Sequence, residues 1–314
     1  MSRGNDASAA RPRVPYRELN GLVLLDKPLG LSSNQALQRV RRLFRAKKAG
    51  HTGALDPLAS GMLPICFGES TRLAGLLLDA DKIYLTTAQL GARSSTGDSE
   101  GQLLDPRPVP TFTNEQIDEA LRHFRGAIEQ IPPMYSALKH QGQALYTLAR
   151  QGKEVERKPR RVFIHRLDLI AQRPSQLDLE VHCSKGTYIR TLVEDLGERL
   201  GCGAYVRSLR RTWVSGFVGQ TMYTLADLEA MSEPELTQCL LPTEAGLSGL
   251  PEATLSADQT RRMLHGQSLR IEAEPAESAI VFGADRRLLA VASIEADGRL
   301  KVKARFGTKS AHPG

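Results

Sequence analysis

Long apolar runs are missing from this chain of 314 residues. The longest are Leu22 to Leu25 and the stretch from Leu73 to Leu78, which Gly75 interrupts. Both fall far short of the ~20 residues that cross a bilayer. No apolar segment follows the charged N-terminus, so no secretory signal is expected and the protein reads as cytoplasmic. Cysteine is sparse. Cys66, Cys183, Cys202 and Cys239 stand far apart without a C-x-x-C pair, which argues against a zinc ribbon and a disulfide scaffold. The seven histidines show neither H-x-H nor H-x-x-x-H spacing, so no metal is expected. A G-x-x-x-x-G-K-[ST] loop is absent, and Gly201-x-Gly203 lacks both a third glycine and a preceding strand. Nucleotide cofactors are not expected either.

What is present describes an ordinary folded chain. Apolar residues make up 41% and charged residues 25%, which excludes a largely disordered chain, a collagen and a coiled coil. The length suggests two domains. Forty-two basic residues against 35 acidic ones give +7. The excess is clustered: Arg39, Arg41, Arg42, Arg45, Lys47 and Lys48; then Arg150, Lys153, Arg157, Lys158, Arg160, Arg161 and Arg166; then Arg207, Arg210 and Arg211. Such clusters suit either a polyanion touching several elements or solvated helix faces.

Residues 1–17 are small, polar and rich in proline and arginine, and read as a disordered basic tail. A short strand over 21–26 ends at Lys27-Pro28. Ser32 or Ser33 caps a helix whose apolar face carries Leu37, Val40 and Phe44. The pattern predicts a helix over about 69–78, a strand over 82–90, a polar loop over 93–110, and a helix behind the Thr113–Gln116 capping box. A helix ending near Gly152 precedes strands over 161–169 and 177–183. Ile189, Leu192, Val193, Leu196 and Leu200 then stripe one face of a helix stopped by Gly201. After about 247 short strands dominate, with a hairpin signal at Asp297-Gly298.

Asp56, in Gly53-Ala54-Leu55-Asp56-Pro57-Leu58, has two readings. It is either a helix N-cap with proline at the first helical position, or an ionised carboxylate displayed by a stiff glycine-flanked loop. Arg190 also has two. It either pairs with Glu194 one helical turn on, worth ~0.3–0.5 kcal/mol, or holds a carboxylate through its planar fork. Gly97-Asp98-Ser99-Glu100-Gly101 matches the G-x-S-x-G string of serine hydrolases, but polar residues on both sides make it a solvent loop.

Four blocks in register resemble the bacterial TruB-type tRNA pseudouridine-55 synthases. They are Gly21 to Pro28 with Gly30, Ser32 and Ser33; Gly50 to Pro64; Ile131 to Lys139; and His182 to Leu192. The resemblance implies an α+β pseudouridine synthase fold, a mixed and mostly antiparallel sheet with flanking helices, followed by a small β-rich PUA-like RNA-binding domain. With the composition and texture of the chain, this gives an expected disordered basic tail over 1–17, a catalytic domain over 18–247, the second domain over 248–308 and a tail over 309–314, the N-terminal extension departing from the family pattern. The reaction implied is isomerisation of a T-loop uridine of tRNA on a flipped-out base, without cofactor or metal. Asp56 would be the catalytic carboxylate, attacking C6 or C1′ or acting as a base. Arg190 would hold it ionised and aimed. Tyr84 would stack on the uracil and help move the C5 proton. Tyr188 and Leu209 would line the pocket, Lys27 would support the loop, and His51 would fill the space the base leaves. The basic clusters would then meet phosphates of the T arm, and nothing calls for more than a monomer. Two rivals stand beside this reading: a non-catalytic RNA-binding protein on the same fold, and a hydrolase using Ser99.

Overall fold

The structure, a computed structural model, describes residues 15–136 and 138–307. The first strand, β1 (Gly21–Lys27), is followed by α1 (Ser33–Leu43), β2 (Ala49–His51) and β3 (Ala59–Phe67). A 3-10 turn (Gly68–Leu73) leads to α2 (Ala74–Leu78) and β4 (Lys82–Leu90). Next come the short pair β5 (Arg93–Ser94) and β6 (Leu103–Leu104), then α3 (Asn114–Arg122), β7 (Gly126–Gln130), and a second short pair, β8 (Lys139–His140) and β9 (Gln143–Ala144). Helix α4 (Leu145–Arg150) precedes the long hairpin of β10 (Arg160–Arg173) and β11 (Gln176–Cys183). Then follow α5 (Ile189–Arg199), β12 (Ala204–Val214), α6 (Leu225–Ala230) and α7 (Glu233–Gln238). The C-terminal part holds β13 (Glu252–Thr254), α8 (Ala257–Leu264), β14 (Ala276–Phe282), β15 (Leu288–Ile294) and β16 (Leu300–Arg305).

One eight-stranded sheet runs β1-β3-β12-β4-β11-β10-β7, with β2 also paired to β3. All its pairings are antiparallel except β3 with β12, so the sheet is mixed and mostly antiparallel, as the resemblance implies. A separate four-stranded sheet, β13-β14-β15-β16, supplies the β-rich C-terminal part.

The apolar run of β1 is long enough to be buried on both faces. Val23 and Leu25 enter the main core with α1 and α5, while Leu22 and Leu24 enter a second core with Phe217, Ile280, Phe282 and Val291. Period-two alternation thus welds the C-terminal sheet onto the edge of the first one. The strand over 82–90 forms as expected. The helix expected over 69–78 is split, because the chain first tightens into the 3-10 turn and only Ala74–Leu78 is α-helical.

Residues 1–14 and 308–314 lie outside the described residues, and with them most of the expected N-terminal tail and all of the C-terminal one. The end of the N-terminal tail is a correction. Arg45 donates to the Pro15 carbonyl at 3.1 Å, Arg41 sits over the Tyr16 ring, and Arg17 pairs with Glu233 at 2.9 Å. These contacts order residues that composition alone assigns to a tail. No helix among the described residues is long and apolar enough to cross a membrane.

Close approach of β3 and β12 sets a steric limit at Gly61. Its φ is +99°, and a Cβ there would lie 2.1 Å from the Arg211 carbonyl oxygen. We expect Gly61→Ala to destabilise the protein by about 3 kcal/mol, combining overpacking with backbone strain. The urea midpoint measures this, and an unchanged midpoint contradicts the packing described.

Candidate active site

Asp56 lies on the seven-residue connection between β2 and β3, and nearly every neighbour of Asp56 on that connection is tied down. The Ser33 hydroxyl accepts from the Leu55 amide at 2.7 Å and donates to the Leu55 carbonyl at 2.9 Å. The Gly30 amide donates to the Pro57 carbonyl at 2.8 Å, and the Ala59 amide to the Asp56 carbonyl at 3.0 Å. Lys27 is fully buried, and its ammonium donates to the Pro28 and Leu31 carbonyls, which shapes the turn that holds Pro57. Arg211, also buried, donates to the Gly53 and Met62 carbonyls. No helix follows Asp56: a turn at Pro57-Leu58 enters β3. The capping role is therefore excluded, and Ser32 rather than Ser33 caps α1.

Arg190 resolves in the same direction. Its guanidinium, only 5% exposed, lies 2.9 Å from the Asp56 carboxylate and 3.5 Å from that of Asp98. It also donates to the Thr96 and Tyr135 carbonyls at 2.9 and 2.6 Å. These partners, not Glu194, take its charge. One fork on α5 thereby gathers the Asp56 loop, the loop after β5 and the segment after β7.

The other expected residues take their places around this pair. Tyr84 projects from β4 and lies close to Arg211. Leu209 on β12 is buried between Ala59 and Thr86, its register partners on β3 and β4. Tyr188 stands at the N-terminus of α5, where buried Gln130 accepts from its amide and donates to its carbonyl. Tyr84, Tyr188 and Lys27 all lie within electrostatic reach of Asp56. His51 ends β2 beside Arg211, and its buried Nδ1 has no hydrogen-bond partner.

Burial in the cleft raises the Asp56 carboxyl above its ordinary value of 3.8, with Arg190 opposing, Asp98 adding to the rise and Lys27 opposing. Burial lowers Lys27 to about 8, with Asp56 pulling it back up. Burial raises Tyr84, against Arg211, so its phenol keeps its proton at neutral pH. Each shift follows from taking a charge out of water, corrected by the nearest opposite charge.

Asp98, Arg211 and Gln130 are the residues that reading by pattern misses. Asp98 sits inside the loop expected to be solvated, yet it is buried, accepting from the Thr96 hydroxyl at 2.6 Å and the Glu100 amide at 3.0 Å. Gly97 permits this. Its φ is +74°, and a Cβ there would press at 3.2–3.3 Å on Glu194 and Arg190. Ser99 points outward, its hydroxyl donating to the Arg207 carbonyl at 3.4 Å, so the hydrolase geometry is absent. Arg211 belongs to the interior, not to a surface cluster. Arg210 is engaged by Asp26 in a two-pronged pair at 2.9 and 2.7 Å, and Arg45 by Glu233. Exposed cations remain at Arg39, Arg42, Lys48, Lys153, Lys158, Arg160 and Arg161, whereas Lys47 pairs with Glu18 at 2.9 Å.

Known proteins share this fold and sequence. In overall fold the chain resembles the archaeal box H/ACA sRNP Nop10-Cbf5 complex, with TM-score 0.70, 22% identity, and 94% of this chain and 88% of that one covered. It also resembles an H/ACA RNP bound to a substrate RNA containing 2′-deoxyuridine, with TM-score 0.70, 20% identity, and 96% and 93% covered. The fold is that of the pseudouridine synthases. In sequence, residues 41–189 match the N-terminal domain of the TruB family pseudouridylate synthases, residues 190–248 the tRNA pseudouridylate synthase B C-terminal domain, and residues 251–304 the C-terminal domain of pseudouridine synthase II TruB. The chain is 49% identical over 305 residues to tRNA pseudouridine synthase B of Yersinia pestis (strain Pestoides F), covering 93% of this chain and 94% of that protein. It is 52% identical over 260 residues to the protein of the same name from Marinomonas sp. (strain MWYL1), covering 82% and 84%. The chain belongs to the TruB family of pseudouridylate synthases.

Glu194 offers a check on the electrostatics. Burial lifts its carboxyl from 4.5 to about 7. The folded state therefore holds its proton more tightly than the unfolded chain. Its ionisation opposes folding increasingly as pH rises through that window. We expect Glu194→Gln to unfold at higher urea than the parent at pH 8 and to lose that advantage near pH 4. A difference independent of pH contradicts the assignment.

Proposed function

We propose that this protein isomerises the uridine at position 55 in the T loop of tRNA to pseudouridine, with Asp56 as the reacting carboxylate. Its relatives carry the tRNA pseudouridine synthase B name over almost their whole length. The observation that carries the residue assignment is the 2.9 Å contact between Asp56 and a buried Arg190. One nitrogen of the guanidinium meets Asp56 while the other takes Thr96 and Asp98, so the planar group aims the carboxylate and favours its ionised form, and a base in that cleft meets it next to Tyr84.

The reaction balances without a cofactor. The N1–C1′ bond breaks, the base rotates, a C5–C1′ bond forms, the C5 hydrogen leaves to water and N1 takes up a proton. Asp56 serves either as nucleophile at C6 or C1′ or as the base of an elimination, and each route needs it ionised. Tyr84 stacks on the uracil and, starting as a neutral phenol, relays the C5 proton. Tyr188 and Leu209 wall the pocket, and Lys27 stiffens the loop.

A base reaches this cleft only by leaving its stack, at a cost of a few kcal/mol. His51, with an unpartnered ring nitrogen at the start of the loop, replaces the lost stacking. The exposed cations hold T-arm phosphates and position the RNA without reading its sequence. The reading takes the protein to act as a monomer in the cytoplasm.

Uridine labelled with tritium at C5 in a T-arm RNA tests this. We expect release of tritium to water by the parent protein and none above background by Asp56→Ala, with RNA binding kept in both. Binding without release by the parent would favour the non-catalytic RNA-binding alternative. The acid limb of kcat/KM is expected above pH 3.8, because burial raises the Asp56 carboxyl. A limb below that value would contradict the environment described.

A further inference from the structure

On the sheet face opposite Tyr84, three side chains with metal-ligand chemistry converge. They are Asp81, immediately before β4; His165 on β10; and His182 on β11. His182 pairs in register with Ile83 and Val181 with Tyr84, so alternation puts His182 behind the catalytic face. One ligand atom from each of the three lies within 4.8 Å of the others, and His165 Nε2 is 3.1 Å from an Asp81 carboxylate oxygen. With bonds of about 2.0–2.1 Å, ligand atoms around tetrahedral zinc stand about 3.4 Å apart. Small side-chain rotations therefore close the set around an ion.

The backbone prepares this arrangement. The β10–β11 register shifts between Ile164 and Arg166, leaving His165 on a bulge, a feature that re-aims side chains. The His165 ring lies between those of Phe163 and His182, with centroids at 5.0 and 4.7 Å, and Trp213 meets His182 edge-on at 5.7 Å. Those contacts hold the rings in place, yet the buried His182 Nε2 has no hydrogen-bond partner. Nearby cations are otherwise engaged: Arg166 by Glu180 and Asp168, Lys185 by Asp79, and Lys82 by the Leu78 and Ala80 carbonyls.

We propose that Asp81, His165 and His182 bind a first-row divalent transition ion, with solvent completing the coordination at exposed His165. Two imidazoles with one carboxylate suit zinc, nickel or copper better than magnesium or calcium. The ion would clamp the β10–β11 hairpin to the start of β4, away from the uridine chemistry. Histidine spacing along the sequence does not reveal the site, because its ligands come from three separate strands or strand ends.

Trp213 is the only tryptophan of the chain, so it reports on the site directly. Cu²⁺ added to the full-length, chelator-treated protein is expected to quench its fluorescence to saturation at one equivalent, and Zn²⁺ to reverse the quenching by competition. His165→Gln and Asp81→Asn leave the ring contacting Trp213 in place, and each is expected to weaken Cu²⁺ and Zn²⁺ binding about tenfold or more. An unchanged emission spectrum before metal is added shows that these variants are folded. Absence of saturable quenching in the parent, or equal affinity in the parent and both variants, overturns the proposal.

Discussion

A guanidinium with 5% of its side-chain surface exposed needs anions and carbonyls around it, and the architecture of this site follows from how Arg190 obtains them. Two carboxylates and two carbonyls surround it, drawn from three loops far apart in sequence. Removing any one leaves buried charge poorly compensated. The requirement thus holds the loops in mutual register, and it places Asp56 at the point where they meet. Asp98, with 4% of its side-chain surface exposed, is the inner counter-ion; Asp56, at 40%, is the one offered to the cleft. The difference in exposure divides structural and chemical duty between two like residues.

The sheet supplies the rigidity that this arrangement needs. β12 runs parallel to β3 on one side and antiparallel to β4 on the other. Its Arg211 reaches beneath the Asp56 loop to Gly53, while Leu209 lies between the strand that follows Asp56 and the strand that carries Tyr84. From the other side Ser33 and Gly30 hold Leu55 and Pro57. The loop is therefore held from two directions, with its one reactive side chain left open. Lys27 contributes without touching Asp56: its ammonium organises the turn that contains Gly30.

Elements with a local signature were legible in the sequence. The strand over 82–90 and the stripe of α5 carry their periodicity openly, a capping box marks α3, and a serine cap, left open between Ser32 and Ser33, marks α1. β3 was not legible from pattern, because Gly61 and Pro64 spoil a strand signature that burial on both faces rescues. Asp56 and Arg190 had two readings each from spacing, and only the family resemblance favoured one. Their choice of partner is a long-range matter: Arg190 prefers Asp56 and Asp98 to Glu194 on its own helix. Asp98 was hidden because its neighbours are polar; its burial comes from the fold around it. Arg211 looked like a surface cation for the same reason.

The central claim is that Arg190 acts through the planar geometry of its fork as well as through its charge. Arg190→Lys keeps the charge and loses the fork. Single-turnover tritium release from C5-labelled T-arm RNA, compared between this variant and the parent at saturating protein, tests the claim most directly. The account predicts a fall in rate of about 100-fold, equivalent to about 3 kcal/mol, with RNA affinity unchanged. A rate within about twofold of the parent, a difference of less than 0.5 kcal/mol, would contradict it.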